Sequence, residues 1–463
     1  MMLVAGVDSS TQSTKVLLCE ADTGAIVGQA SAPHPDGTEC DPELWWQALA
    51  QAGDGLLSQA GAIGVAAQQH GMVVTDEKGQ VIRPALLWND VRSAPQAARL
   101  ISERGGPAWW ARQTGSVPSA SFTVTKLRWL AEHEPEAAAR TALVLLPHDW
   151  LTWRLGDRAD PAATDRGDAS GTGYFSPTAG RWLPEVAEAA LGHLPALSRI
   201  AGPAEIVAHT PDGTPLSAGT GDNMGAALGL GLALGEVVVS IGTSGTAYAV
   251  AAEPAADESG LVAGFADATG RFLPLVATIN AARVLTVTAR MLGTDAAGLS
   301  RLALAAPAGA QGLTMLPYLD GERSPNRPDA SGVLRGLTSS NTTPENLARA
   351  AVEAVLCSLA DAIDNLADCG ITARRVILIG GAARSEAVRR VAPVIFGLPV
   401  TVPEPAEYVA LGAARQAAWA LSGTTEPPQW ARADTSREYT AAPVPEVRAR
   451  YAALRDATLG WGP

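Results

Sequence analysis

The chain has 463 residues, of which 47% are hydrophobic and 17% charged, so it can bury the cores of two large or three ordinary domains and is not a disordered chain. Its formal net charge of −13 argues against nucleic acid or an anionic membrane as a partner. The N-terminus has no basic segment and the four cysteines show no CxxC spacing, so we expect a cytoplasmic protein without membrane spans.

Two segments predict β-hairpins whose turns consist of small hydroxyl-bearing residues. Residues 3–20 form the first, and residues 236–252 form the second. Such turns can present N–H and O–H donors to phosphate oxygens. Taken alone, each turn favours an ordinary hairpin without a ligand, but the pair suggests two similar domains that hold one phosphate chain. The candidate phosphate-binding residues are Thr11, Gln12, Ser13 and Lys15 in the first turn, and Gly242, Thr243 and Ser244 in the second.

Polar residues follow an apolar strand at 63–67, where Gln68, Gln69 and His70 stand before Gly71. Amide and imidazole groups together suit a polyhydroxylated ligand. The alternative is a structural histidine. A second candidate set, Trp88, Asn89 and Asp90 with Arg92, could pack an indole on a sugar face and bind its hydroxyls, or could be a loop anchored by a buried Trp.

The stretch 202–223 is rich in Gly, Pro and Thr, and we place a domain boundary just after it, giving domains 1–225 and 226–463. Asp222 lies there between a Gly and Asn223. An Asp at this place can accept the proton of a substrate hydroxyl, and Asn223 can bind a neighbouring hydroxyl. The alternative is an Asx-turn that caps the next helix. Asp8, at the end of an apolar strand, could orient Mg²⁺ through water.

The C-terminal half predicts an α/β domain. After a long loop at 316–332, a helix begins at Thr343 as N-cap and ends at Gly370. A strand at 375–381 and a helix at 385–395 follow. The small residues between them could let a nucleotide lie against the backbone, and no Walker A or GxGxxG pattern occurs. The candidate nucleotide-binding residues are Gly380, Gly381, Ala382 and Ser385.

In chain order, several segments resemble those of the FGGY carbohydrate kinases, within the actin-like ATPase superfamily. They are VDSSTQSTK, AAQQHGM, LLWNDVR, GTGDNMGAALGLG, SIGTSGTAY, LPYLDGERSP, LIGGAARSE and PAEYVALGAA. The resemblance covers nearly the whole chain. It implies an α/β fold of two ribonuclease-H-like domains with an interdomain cleft. The N-terminal domain, 1–225, would bind sugar and carry the first phosphate hairpin, and the C-terminal domain, 226–463, would bind the nucleotide.

The same resemblance implies ATP and Mg²⁺ as cofactors and a small ketose as substrate, with D-xylulose first. Asp222 would be the general base and Asp8 the residue that organises Mg²⁺, while Gln69, His70 and Asn223 would bind the sugar. Asn223 favours a ketose over glycerol, whereas Gln69, where many relatives carry Met, bears on which ketose is preferred. Ribulose, a deoxyketose or a polyol stays open as substrate, as does an actin-like ATPase without a sugar. A homodimer is plausible by resemblance.

Overall fold

The structure is a computed structural model that describes residues 2–430 and 436–461. Its strands are, in chain order, β1 (Leu3–Ser9), β2 (Ser13–Glu20), β3 (Ile26–Pro33), β4 (Glu39–Cys40), β5 (Ile63–Ala67), β6 (Val73–Thr75), β7 (Ala85–Leu86), β8 (Leu143–Leu145), β9 (Ala163–Thr164), β10 (Phe175–Ser176), β11 (Arg181–Trp182), β12 (Ala196–Leu197), β13 (Arg199–Ile200), β14 (Ile206–His209), β15 (Pro215–Ser217), β16 (Thr220–Gly221), β17 (Glu236–Ile241), β18 (Gly245–Ala249), β19 (Ala263–Ala266), β20 (Phe272–Thr278), β21 (Thr314–Leu316), β22 (Val333–Arg335), β23 (Arg375–Ile379), β24 (Val400–Val402) and β25 (Arg437–Tyr439).

The helices are, in chain order, α1 (Pro42–Gly53), α2 (Ala94–Glu103), α3 (Pro107–Thr114), α4 (Thr123–His133), α5 (Pro135–Arg140), α6 (Pro147–Leu155), α7 (Arg166–Ala169), α8 (Pro184–Leu191), α9 (Asp222–Leu230), α10 (Ala282–Met291), α11 (Ala296–Ala305), α12 (Pro344–Asp368), α13 (Glu386–Phe396), α14 (Tyr408–Ser422) and α15 (Pro445–Ala457). Within the described residues, none of these helices combines the length and the apolar character that crossing a bilayer requires.

The chain forms two compact units. The first holds the described residues of Met1–Leu232, Val250–Pro274 and Glu407–Arg432, and the second holds the described remainder. Three segments that follow the predicted boundary at 225/226 in sequence therefore belong to the first unit: 226–232, 250–274 and the described residues from 407 onwards. The division into domains 1–225 and 226–463 stays a prediction.

The sheet of the first unit explains why polar residues from distant parts of the sequence meet. Its order is β14-β15-β5-β1-β2-β3, and β16 also pairs with β5. Because β1 and β16 both run parallel to β5, the carboxyl ends of these three strands meet at one edge. Asp8 and Thr220 both lie opposite Ala66 in register, so the residues that follow each strand converge there.

Helices cover both faces of this sheet. On one face, α1 and α6 pack over apolar side chains of the sheet that include Val7 and Val65. On the other face, α14 lies against β1 and β5 and also crosses α9. The crossing is very close, because a Cβ atom added to Gly412 would lie 1.8 Å from the Gly225 carbonyl oxygen. This glycine contact fixes α9, whose first residue is Asp222, against the sheet.

The second unit repeats the hairpin arrangement, as the sequence predicted. Here β17 pairs antiparallel with β18 and parallel with β23, in a sheet that continues through β24 to β25. The predicted helix is confirmed as α12, and the Thr343 hydroxyl accepts its capping bond from the Asn346 N–H. The strand before the Gly pair is β23 and the helix after it is α13, so the α/β prediction is confirmed.

Candidate active site

Asp222 is the first residue of α9 and lies at the carboxyl edge of the first sheet. Its Oδ1 accepts hydrogen bonds from the backbone N–H of Asn223 (2.8 Å) and from the Asn223 side-chain amide (2.9 Å). The side chain is half-buried. Desolvation, followed by the negative charges of Asp8 and Asp168, raises the pKa of Asp222 to about 7. A carboxylate with this pKa can accept a proton near neutral pH.

Asp8 is the second acidic residue at this edge, and it is almost fully buried. Its Oδ1 accepts a 2.5 Å hydrogen bond from the Ser10 hydroxyl, and Lys15 Nζ lies 4.0 Å from its Oδ2. Lys15 makes a much shorter ion pair, 2.6 Å, with Glu407. Burial raises the pKa of Asp8 to about 6, although Ser10 and Lys15 oppose the shift. Two neighbouring carboxylates with raised pKa values form a place where a cation would be favourable.

Gln68 and Gln69 bring amide groups to the same edge, because they directly follow β5. The Gln69 Oε1 accepts a 2.9 Å hydrogen bond from the Asn223 side chain. Gln69 Nε2 and both polar side-chain atoms of Gln68 are buried and have no hydrogen-bond partner among the described residues. Leaving a buried polar atom unpaired costs about 1–3 kcal/mol, so these amides suit a polar ligand or water.

His70 adopts a positive φ of 66°, which is unusual for a residue other than glycine. Its Nδ1 lies 2.7 Å from the Gly171 carbonyl oxygen, and since a carbonyl only accepts, Nδ1 carries a proton. The ring packs on Phe122 and Phe265, with centroid distances of 4.9 and 5.8 Å. The ring orientation is therefore fixed by neighbours on three sides.

The loop at Trp88 lies next to the His70 segment, because Met72 and Leu86 form an antiparallel bridge. The Trp88 indole N–H donates a 2.9 Å hydrogen bond to the Thr11 hydroxyl, which joins this loop to the first hairpin turn. The Asn89 side chain donates to the Gly37 carbonyl, 3.2 Å away.

Asp90 differs from the other candidate sugar-binding residues because it already has a cationic partner. Arg92 donates from Nε to Asp90 Oδ1 at 2.9 Å, and its Nη2 lies 2.8 Å from Oδ2. Although burial acts in the opposite direction, these bonds hold the pKa of Asp90 below its ordinary value. Direct contact of Asp90 with a sugar stays a prediction.

The first hairpin turn is braced by His34. This ring lies 2.9 Å from the Ser10 carbonyl oxygen through Nδ1 and 2.8 Å from the Thr14 hydroxyl through Nε2. The turn residues Thr11 and Ser13 are half-buried, whereas Gln12 is exposed. The side chains predicted to hold phosphates thus lie at the surface of the first unit, on a turn that the His34 contacts hold in place.

The turn of the second hairpin lies beside the Gly pair that follows β23. Gly380 has φ +91°, and a Cβ atom there would lie 2.7 Å from the Ile241 carbonyl carbon, so only glycine fits. The Gly242 carbonyl accepts a 2.9 Å hydrogen bond from the N–H of Ala282 at the start of α10. The structure thereby brings the predicted residues of the second unit together: Gly242, Thr243 and Ser244 in the hairpin turn, and Gly380, Gly381, Ala382 and Ser385 between β23 and α13.

Sequence reasoning missed two groups of buried polar residues in the first unit. Lys126 is fully buried in α4, and its ammonium donates to the His70 carbonyl oxygen, 3.1 Å away. His148, at the start of α6, makes close contacts with buried aspartates. The sequence offered a signal for the second group, because the His-Asp pair at 148–149 directly follows an apolar strand, where α/β folds place functional residues.

Comparison with known proteins agrees with this geometry. Residues 3–229 match the family described as "FGGY family of carbohydrate kinases, N-terminal domain", and residues 237–421 match its C-terminal domain. A xylulose kinase of Streptomyces coelicolor is 47% identical over 441 residues, which is 91% of this chain and 88% of the relative. A xylulose kinase of Escherichia coli is 35% identical and is covered to 89% of its length.

Solved structures show the same fold. The crystal structure of xylulose kinase from Bifidobacterium adolescentis superposes with a TM-score of 0.91 at 44% identity, over 98% of this chain and 99% of that one. The two family matches together cover most of the chain, and the α/β architecture with a hairpin in each unit is the actin-like ATPase fold that the sequence predicted. The chain belongs to the FGGY family of carbohydrate kinases.

Proposed function

We propose that this protein transfers the γ-phosphoryl group of ATP to D-xylulose, giving D-xylulose 5-phosphate and ADP, with Asp222 as general base. The observation that carries the proposal is the half-buried Asp222 carboxylate, held by Asn223 beside buried amides that have no partner within the described residues. The xylulose kinases that cover most of the chain support the choice of sugar.

The reaction needs a hydroxyl oxygen aimed at the γ-phosphorus and a group that takes its proton. In the proposed step, the oxygen on C5 of the sugar bonds to phosphorus as the bond to the bridging oxygen of ADP breaks. The proton moves to the Asp222 carboxylate. Asn223 holds that carboxylate, while Gln69 and His70 orient the remaining hydroxyls of the sugar.

The acidic edge fits a divalent cation, because burial raises the pKa of both Asp8 and Asp222 and the negative charge of Asp8 raises the pKa of Asp222 further. Asp8 would hold Mg²⁺ through oxygen or water, and Mg²⁺, when bound, supplies charge neutralisation for phosphate oxygens. Thr11, Gln12, Ser13 and Lys15 would bind phosphate oxygens from the first hairpin.

The nucleotide-binding residues of the second unit complete the proposal. Gly242, Thr243 and Ser244 would bind phosphate oxygens, and Gly380, Gly381, Ala382 and Ser385 would line the remainder of the nucleotide site. The open space beside Gly381, where an added Cβ atom would have no heavy atom within 4 Å, supports close approach of a ligand. An interdomain cleft, a homodimer and a cytoplasmic location stay predictions.

The test of the base is Asp222→Asn. We expect kcat to fall by about 10²–10⁴-fold, because the isosteric amide cannot accept the proton. Nucleotide affinity, measured by calorimetry, should stay within about threefold if the residue acts in the chemical step. Near-normal turnover of this variant would contradict the assigned role.

Two controls separate lost chemistry from lost structure. Removing a negative charge beside Asp8 relieves repulsion, so the melting temperature of Asp222→Asn should not fall below that of the wild type. Asp22→Asn makes the same change at an exposed turn residue and should leave kcat unchanged.

The sugar preference needs its own assay. Gln69 is hydrogen-bonded to Asn223 and is therefore part of the proposed sugar site. We expect D-xylulose to give the highest kcat/KM in a panel that includes ribulose, a deoxyketose and polyols. If another sugar gave the highest kcat/KM, the protein would still be a sugar kinase, but its preferred substrate would be that sugar. Sugar-independent ATP hydrolysis with polymer formation would favour an actin-like ATPase instead.

A further inference from the structure

A cluster of four buried ionisable residues lies in the first unit beneath the segment that carries Asp222. At its centre is His148, whose side chain is fully buried. Its Nδ1 lies 2.6 Å from Asp168 Oδ2, and its Nε2 lies 3.1 Å from Asp149 Oδ1. Asp165 Oδ1 lies 4.0 Å from the same Nε2. We call these four residues the histidine–aspartate cluster.

The contacts indicate that His148 is an imidazolium. Burial alone would lower its pKa, but the nearby carboxylates of Asp149 and Asp168 raise the pKa to about 9. Nδ1 then donates a hydrogen bond to Asp168, whereas Nε2 lies within ion-pair distance of Asp149 without a hydrogen bond to it. In this protonation state the ring has no lone pair for a metal ion, and the cluster is a buried ion pair.

The cluster is connected to the Asp222 segment by two direct contacts. Asp165 Oδ2 accepts a 2.8 Å hydrogen bond from the hydroxyl of Thr220, which is also fully buried. Gly219 lies against the His148 ring, since a Cβ atom there would be 2.5 Å from the ring carbon Cδ2. Gly219 and Thr220, which directly precede Gly221 and Asp222 in the chain, therefore both contact the cluster.

Asp165 is itself held rigidly. Its Oδ1 accepts from the N–H of Asp168 and its Oδ2 from the N–H of Gly167, each at 2.9 Å. Buried ion pairs of this kind seldom add much net stability, because desolvating the charges offsets their attraction. Such a network can instead fix the positions of the groups that are hydrogen-bonded to it.

We propose that His148 and Asp165 are positioning residues for the phosphoryl transfer, which act through Thr220 to fix the strand end and helix start that present Asp222. The inference rests on the proposed function, because it presumes that Asp222 is the base. A small error in the placement of such a group lowers turnover more than it lowers substrate binding.

The most selective test is Thr220→Val, which removes the hydrogen bond to Asp165 and keeps a β-branched side chain of similar size. We expect kcat to fall about 10-fold, while KM for ATP and for D-xylulose changes by less than about 2-fold. Thr220→Ser restores the hydroxyl and should keep kcat near the wild-type value.

The matched control is Thr141→Val. Thr141 is also buried, and its hydroxyl donates to the Ala137 carbonyl oxygen away from the cluster. This variant should lose a similar amount of thermal stability and keep kcat. Equal kcat values for Thr220→Val and Thr141→Val would overturn the positioning role.

A second variant, His148→Gln, replaces the cation by a neutral amide with one nitrogen where the imidazolium has two. We expect a larger loss of kcat than in Thr220→Val; if the variant does not fold, Thr220→Val still decides. A stoichiometric metal ion in purified wild-type protein, lost in His148→Gln, would overturn the ion-pair account. Loss of activity in Asp222→Asn with a fully active Thr220→Val would reject this inference alone, whereas an active Asp222→Asn would reject the proposed function.

Discussion

At the scale of single residues, the site depends on carboxyl groups that hold their protons more tightly than they would in water. Burial raises the pKa of Asp8 to about 6, and that of Asp222 to about 7 with help from neighbouring negative charges. The sequence predicted both residues, Asp8 because it ends an apolar run before a turn of small residues, and Asp222 because it lies in a Gly-flanked turn at the expected domain boundary. It could not predict that Asp90 is paired with Arg92, since this ion pair depends on the conformation of the folded loop.

The raised pKa of Asp222 predicts how turnover depends on pH. The base must be ionised, so kcat/KM for D-xylulose should be level above pH 7 and should fall about tenfold per pH unit below it. Initial rates at saturating ATP between pH 5.5 and 8.5 measure this. A profile that stays level down to pH 5.5 would be inconsistent with Asp222 as a base of this pKa.

At the scale of elements, α4 supports the proposed sugar site through Lys126. This fully buried ammonium donates to the carbonyl of His70, whose φ is positive. A strained backbone conformation persists only where neighbouring groups hold it. The helix therefore supports the turn that places the His70 ring, a long-range contact that local sequence patterns do not reveal.

Lys126→Met tests this support, because Met fills a similar volume but cannot donate a hydrogen bond. We expect KM for D-xylulose to rise about tenfold, with a smaller change in KM for ATP. Lys78→Met, at an exposed position, is the matched control and should leave both constants unchanged. If sugar KM is unaltered in Lys126→Met, Lys126 does not position His70.

Local patterns predicted the longer elements better than the short ones. Alternating apolar runs and Gly-Ser-Thr turns predicted both hairpins, and an N-cap followed by regular apolar spacing predicted α12. The two-residue strand β16 was not predictable, because it is defined by pairing with β5 and not by its own composition. That pairing is what brings Asp222 to the sheet edge.

At the scale of the whole molecule, two similar hairpins far apart in sequence correctly indicated two sheet-rich units. The sequence did not reveal that α14 returns to the first unit, where Glu407 pairs with Lys15 and Gly412 contacts α9. Such contacts join residues that are far apart in sequence and depend on the complete fold. The motif order nevertheless identified the family, because the whole set of motifs is far more specific than any one of them.

The most direct test of the central claim is the product of the reaction itself. Incubation with ATP, Mg²⁺ and D-xylulose, followed by ³¹P NMR, should show one new phosphomonoester on C5 and an equal amount of ADP. Without sugar, ADP release should fall to about 1% of that rate or less, since water is a poor substitute for the bound hydroxyl. ADP release at the same rate with and without D-xylulose, and no sugar phosphate, would contradict the account.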